Sequence, residues 1–124
     1  MSWFNREEVH RAVSDLRQVA RIDRLGYQDG PARGSRLLRL VTGGGLEVEL
    51  LPDRGLDLGT VTIDGIPVGW ASAAQPAVPS AVDLHGANWV RSFAGGLLVT
   101  CGLDSFGAHS VEDGVEYGQH GRAT

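Results

Sequence analysis

Apolar residues recur along this chain at two different periods. Near the N-terminus Val9, Val13, Leu16 and Ala20 fall three or four positions apart and mark one face of a helix, with Arg11, Asp15 and Arg17 opposite. Asn5 can cap that helix and Glu8 follows it at capping-box spacing, while Phe4 and Val9 occupy the hydrophobic-staple positions. The pattern predicts a helix from Arg6 to Val19, within an N-terminal element of residues 1–21. After Arg21 the period shortens to two. Ile22 to Gln28 reads as a strand closed by an Asp29-Gly30 turn, and Arg36 to Thr42 as the next. Gly43-Gly44-Gly45 leads into Leu46-Glu47-Val48-Glu49-Leu50, where the leucines and valine are expected inward and the glutamates outward. Thr60 to Ile63 and Ile66 to Trp70 flank Asp64-Gly65, a strong hairpin signal. Residues 71–81 form a small-residue loop with Pro76 and Pro79. Gly96 to Cys101 reads as a buried strand, and Glu112-Asp113-Gly114-Val115 as a turn into a last strand from Val115 to Gln119. Short strands with frequent turn signals predict a mainly β fold, an antiparallel β-sandwich or barrel over residues 22–124, preceded by one short helix.

Composition narrows the function classes. A chain of 124 residues with 42% hydrophobic side chains suits one domain with a core of its own. The formal net charge of −4 argues against a nucleic-acid partner, which calls for a basic face. All eleven basic residues are Arg, a feature of composition rather than of function. A single cysteine, Cys101, excludes an internal disulfide framework and fits a reducing compartment; within an apolar strand it is expected as an inert core thiol. The first residues lack the apolar stretch of a signal peptide, and no run approaches a membrane span. The expectation is a soluble, cytoplasmic protein with no membrane partner. The triple glycine precedes a strand and no Gly-Lys-Ser/Thr follows, so it is not a phosphate loop.

Three stretches carry chemistry. In Leu51-Pro52-Asp53-Arg54-Gly55-Leu56-Asp57-Leu58-Gly59 an Arg stands between two carboxylates, which no plain turn requires. Its planar fork suits a carboxylate, a phosphate or a vicinal diol, so Asp53, Arg54 and Asp57 are candidate binding residues. A structural ion pair at a sheet corner accounts for the same three residues. Trp89-Val90-Arg91-Ser92-Phe93-Ala94-Gly95-Gly96 sets aromatic platforms beside Arg91, able to grip a polar ligand; Trp70 and Trp89 read equally as core or rim residues. Tyr117-Gly118-Gln119-His120-Gly121-Arg122 places a proton-trading side chain beside a glycine that lets a ligand approach. A surface role explains His120 alone just as well. His10 is expected solvated, and His85 and His109 lack metal-ligand spacing, so no metal site is expected.

Taken in order, these three stretches, with the second continued through Leu97-Leu98-Val99-Thr100-Cys101-Gly102-Leu103, resemble the aldose 1-epimerase-like family of the galactose mutarotase-like superfamily, in an uncharacterised branch. The resemblance runs from about Asp15 to Arg122. Gly95 to Gly102 followed by His120-Gly121 is more distantly similar to the Arg-Gly-Gly and His-Gly segments of hexose-6-phosphate mutarotase-like proteins. It implies a large antiparallel β-sandwich with a sugar site on its concave face, binding of a monosaccharide or sugar derivative, and interconversion of its anomers. Mutarotation needs one group to take the proton of the anomeric hydroxyl and another to protonate the ring oxygen, without cofactor. By the resemblance His120 matches the first histidine and is the catalytic candidate, holding or polarising the sugar. Arg91 meets a polar or anionic substituent, and Asp53, Arg54, Asp57 and Arg122 complete the substrate-binding set.

Family members are about twice this length or more, and no segment here supplies a second histidine or a late glutamate. The expectation is therefore the N-terminal portion of a mutarotase-like sandwich, truncated and inactive in isolation, whose unpaired strand edges invite self-association. A non-catalytic carbohydrate-binding module or an inactive fragment on the same fold stays open as the alternative.

Overall fold

The computed structural model describes residues 5–74, 76–77 and 86–121. It is mainly β, built of antiparallel sheets with one short α-helix. Helix α1 spans Arg6–Ala12, and the Asn5 side chain caps it by accepting from the Glu7 amide at 3.1 Å. It stops well short of Val19. Val13 is extended, and Asp15 starts a separate 3₁₀ turn, Leu16–Gln18, by accepting from the Arg17 amide at 2.9 Å. Local side-chain bonding to the backbone competes with helix continuation, and here it wins. The Arg17 guanidinium closes on the same carboxylate and holds Asp15 below its ordinary range. Phe4, the other half of the expected staple, lies outside the described residues.

Five strands follow as a meander: β1 (Arg21–Gly26), β2 (Arg36–Val41), β3 (Leu46–Leu51), β4 (Asp57–Ile63) and β5 (Ile66–Pro67), each antiparallel to the one before it. The β4–β5 turn is the Asp64-Gly65 hairpin, with both residues at positive φ (51° and 78°) as a type I′ turn demands. Two smaller sheets pair β6 (Trp70–Ala71) with β7 (Gly95–Gly96) and β8 (Ser110–Glu112) with β9 (Val115–Tyr117) around a second such turn, Asp113-Gly114. A bridge from Leu58 to Leu98 ties the main sheet to the later segment.

The register sorts the main sheet into two faces. Leu40 opposes Val48, Leu38 opposes Leu50, Leu50 opposes Leu58 and Val48 opposes Val61, so one face is apolar, with Val61 buried at its centre. The other face carries Asp23 opposite Arg39, Arg39 opposite Glu49, and Leu51. Arg21 bonds Asp23 at 3.0 Å and Arg39 bonds Glu47, which holds both arginines of this face in ion pairs. A bulge between Val48 and Leu50 shifts the β3–β4 register and bends the end that leads into Pro52–Arg54, a short 3₁₀ turn.

Several local readings change. The strand begun at Ile66 ends at Pro67, and Trp70 belongs to β6. Glu49 does not face open solvent but lines a cavity. The stretch Gly96 to Cys101 is no buried strand: only Gly96 is in a ladder, Leu97 and Leu98 are half exposed, and Cys101 is exposed rather than a core thiol. The reason is local. Gly96 (φ 135°) and Gly102 (φ 116°) leave the extended region, so the segment between them makes a single bridge in place of a continuous ladder. Among the described residues no helix is long and apolar enough to cross a membrane.

Candidate functional site

The Asp53–Asp57 stretch folds as two ion pairs pointing in different directions. Asp53 accepts three hydrogen bonds from Arg36, from its backbone amide at 2.7 Å and from Nε and Nη2 at 2.8 and 2.5 Å. These bonds hold the Asp53 carboxyl below its ordinary range, the Arg36 side chain being the larger cause. Asp53 is thus committed to an exposed arginine, and only Arg54 and Asp57 turn inward.

Arg54 is 6% exposed, Asp57 2% and Ser92 0%. Arg54 Nε donates to Asp57 Oδ2 at 3.0 Å, and Nη1 to Ser92 Oγ at 3.0 Å. The Ser92 hydroxyl donates onward to the Trp89 carbonyl at 3.0 Å, and Asp57 Oδ1 accepts from the Thr100 amide at 2.6 Å. Four segments are joined at one buried point. The Arg54 guanidinium lies 5.8 Å from the centroid of the buried Trp89 ring, within cation–π range. Arg54 Nη2 and Trp89 Nε1 are buried donors without a partner among the described residues. This geometry matches the ion-pair reading of the stretch, with the arginine acting from beneath the surface.

Trp89 links that network to His120. The imidazole stands edge-on to the indole, with centroids 4.4 Å apart and planes at 71°. Backbone bonds fix its place: the His120 amide donates to the Gly107 carbonyl at 2.8 Å, and the Gly102 amide donates to the His120 carbonyl at 2.9 Å. His120 itself adopts φ 64°, a strained setting for a side chain with a β-carbon. At Gly121 a β-carbon would meet the Gly102 carbonyl oxygen at 2.2 Å, so this Gly is required for the chain to pass. His120 Nε2 lies 3.5 Å from Gln119 Nε2. On its far side Trp89 stacks on Phe93 (4.6 Å, 26°), and Phe93 meets Trp70 at 5.7 Å. The row Trp70–Phe93–Trp89–His120 is continuous.

Arg91 sits exposed in the last turn of the 3₁₀ helix Gly86–Arg91 and pairs with no described residue. Arg122 lies outside the described residues, as does His85. His109 bonds Glu116 across the β8–β9 hairpin at 2.8 Å. Of the six candidates, Arg54 and Asp57 bond each other, His120 reaches them through Trp89, and Asp53 and Arg91 stand apart. Among the described residues no three His, Cys, Asp or Glu side chains are grouped to hold a metal.

A cavity of about 360 Å³ opens on the charged face of the sheet, and none of the candidates among the described residues lines it. Its polar side chains include Tyr27, Glu49 and Thr60, its wall includes Trp70, and Gly59, Gly69, Gly95 and Gly96 give it a floor of bare backbone. Burial, and then the Glu49 charge, push the Tyr27 phenol up, which keeps it a proton donor. Sequence reasoning missed this site because its walls come from Tyr27 after β1, from β3, β4 and Pro67 of β5, from residues 69–74 and Pro76, and from residues 94–96; the local signal was Glu49 on an alternating strand.

The fold is aldose 1-epimerase-like. It superposes on the crystal structure of a "putative aldose 1-epimerase" from Klebsiella pneumoniae subsp. pneumoniae MGH 78578 with a TM-score of 0.72 and 29% identity, over 82% of this chain. The match spans 27% of that protein's length. Residues 32–124 match the family described as Domain of unknown function (DUF4432), and the chain belongs to that family. A search of curated proteins finds no match.

Proposed function

We propose that this chain forms one wall of a carbohydrate site in an aldose 1-epimerase-like protein, and that His120 binds and polarises a monosaccharide or sugar derivative there. The observation that carries this reading is the placement of His120. Its backbone is fixed on both sides in a strained conformation, its ring is braced by a buried indole, and beneath that indole Arg54, Asp57 and Ser92 prevent Trp89 from shifting. An imidazole held this way is oriented before a ligand arrives, which is what a proton-handling group at an anomeric centre needs. The aldose 1-epimerase name of the structural relative supports the sugar as substrate class. In this reading Arg91, exposed and unpaired among the described residues, meets a polar substituent of the sugar, and Arg122, two residues after His120, adds a further donor. Arg54 and Asp57 act as support.

Anomer interconversion requires a proton acceptor and a proton donor placed together. Around His120, the Asp57 carboxylate is already taken by Arg54 and Thr100. That observation favours a second reading for the chain by itself, a binding module without turnover. Polarimetry on freshly dissolved α-D-glucose and α-D-galactose, paired with tryptophan fluorescence titration, separates the two. The expected result is sugar binding that is lost in His120→Ala, with mutarotation at the uncatalysed rate. Acceleration abolished by His120→Ala would make the chain a complete catalyst. Absence of any binding would remove the carbohydrate reading.

A further inference from the structure

The charged face of the main sheet has an electrostatic remainder. Arg21 is held by Asp23 and Arg39 by Glu47, both on this face. Glu49 makes no hydrogen bond or ion pair among the described residues: Arg39 stands opposite it in the register and feels its charge, but the guanidinium bonds Glu47. Glu49 lines the cavity of about 360 Å³, a volume at the small end of ligand pockets. Tyr27 and Thr60 present hydroxyls without described partners to the same space, and Trp70, 60% exposed, offers its indole from the wall. Among the described residues, no Arg or His lines the cavity. An unpaired carboxylate beside two aromatic rings attracts a cation, by direct pairing and through the ring faces. The described lining offers no basic group to hold a phosphate or carboxylate.

The geometry points to a second binding site in this cavity, separate from His120, for a small hydroxylated ligand bearing a protonated amine, with Glu49 pairing the ammonium group and Tyr27, Thr60 and Trp70 holding the body. An amino sugar has this chemistry, and so does a short amino alcohol. The site does not depend on the carbohydrate reading of His120.

Glucosamine, glucose and glucose 6-phosphate, titrated into ¹H–¹⁵N-labelled protein at pH 7, test it. Glucosamine is expected to shift the signals of Trp70, Tyr27 and Gly59 and to bind about tenfold or more tightly than glucose, as one charge-assisted bond predicts. Glucose 6-phosphate is expected to leave those signals in place. Glu49→Gln should bring glucosamine to the level of glucose. Gly59→Ala should weaken both without disturbing the fold, because its β-carbon would enter the cavity in ordinary contact with Leu51 and Glu49 at 3.6–3.7 Å. His120→Ala should leave the shifts at Tyr27 and Gly59, and their dependence on Glu49, unchanged, whatever it does to sugar binding at His120. Equal binding of glucosamine and glucose, a preference that survives Glu49→Gln, loss of the Tyr27 and Gly59 shifts in His120→Ala, or no shift at Trp70 would each overturn the inference.

Discussion

Arg54 and Arg36 each form an ion pair with an aspartate, yet burial makes their substitutions differ in consequence. Arg54→Ala leaves the Asp57 carboxyl, 2% exposed, without its guanidinium partner. Removing one partner of such a pair costs about 3–5 kcal/mol, and urea denaturation should show it. Arg54→Lys should recover little of that loss, since a single ammonium cannot serve Asp57 and Ser92 in the directions of the guanidinium fork. Arg36→Ala, at an exposed pair, should change stability far less. The Arg36–Asp53 pair shows instead in the pH dependence. The folded Asp53 carboxyl lies below its ordinary range, so its contribution is present above the unfolded value near pH 4 and is lost as pH falls through the folded one. Asp53→Asn should flatten the acid limb of stability below about pH 4, read by thermal melts at several pH values. The sequence made the charged run visible but not its partners, because Arg36 lies 17 positions from Asp53 and Ser92 lies 38 from Arg54. Nothing local marks an exposed arginine as the ion-pair partner of Asp53, or a serine as a hydrogen-bond acceptor for Arg54.

At the scale of elements, what was legible in advance was what is local. Both Asp-Gly turns are type I′ hairpins, since the two-residue loop and its positive φ are written in adjacent residues. The β2 and β3 boundaries fell within a residue or so for the same reason: a period of two is a short-range signal. The helix was overextended because an apolar stripe cannot report that Asp15 prefers to bond its own neighbour. The supposed Gly96 to Cys101 strand failed because its glycines do different work. At Gly96 a β-carbon would lie 2.2 Å from the Leu58 carbonyl oxygen, and at Gly95 it would lie 2.4 Å from that of Trp70. These glycines exist for close backbone approach. Gly96→Ala should therefore cost about 2–3 kcal/mol in chemical denaturation. Gly65→Ala, with nothing within 4 Å of its β-carbon, should cost only the backbone penalty of about 1 kcal/mol. Equal losses at the two sites would show that contact with Leu58 is not what fixes Gly96.

Over the whole molecule, the described surface is rich in apolar side chains. Ile22, Leu46 and Ile63 are exposed on the apolar side of the sheet, and Leu97, Leu98, Leu103 and Phe106 are exposed in the later segment. Such surface is more than a small soluble domain usually presents in scattered form. The outer strand β1 is less inviting, because Arg21, Asp23 and Arg24 place charges along its edge. Self-association through faces rather than edges is the expected outcome. Sedimentation velocity should show an average mass that rises with protein concentration. Ile22→Lys together with Ile63→Lys should lower it, and Arg24→Ala should not. The reverse pattern would point to pairing along β1.

The order of strands in the main sheet also bears on how the chain comes to be folded. From Arg21 to Pro67 each strand meets the one just before it, across short connections and with no crossover. Each pairing therefore closes only a small loop, the circumstance under which β-structure assembles fast. During synthesis this five-stranded platform can zip up strand by strand, in the direction in which the ribosome releases it. The long-range contacts that connect Leu58 to Leu98 and Arg54 to Ser92 then form late, when Trp89 and its neighbours dock onto a surface already waiting for them.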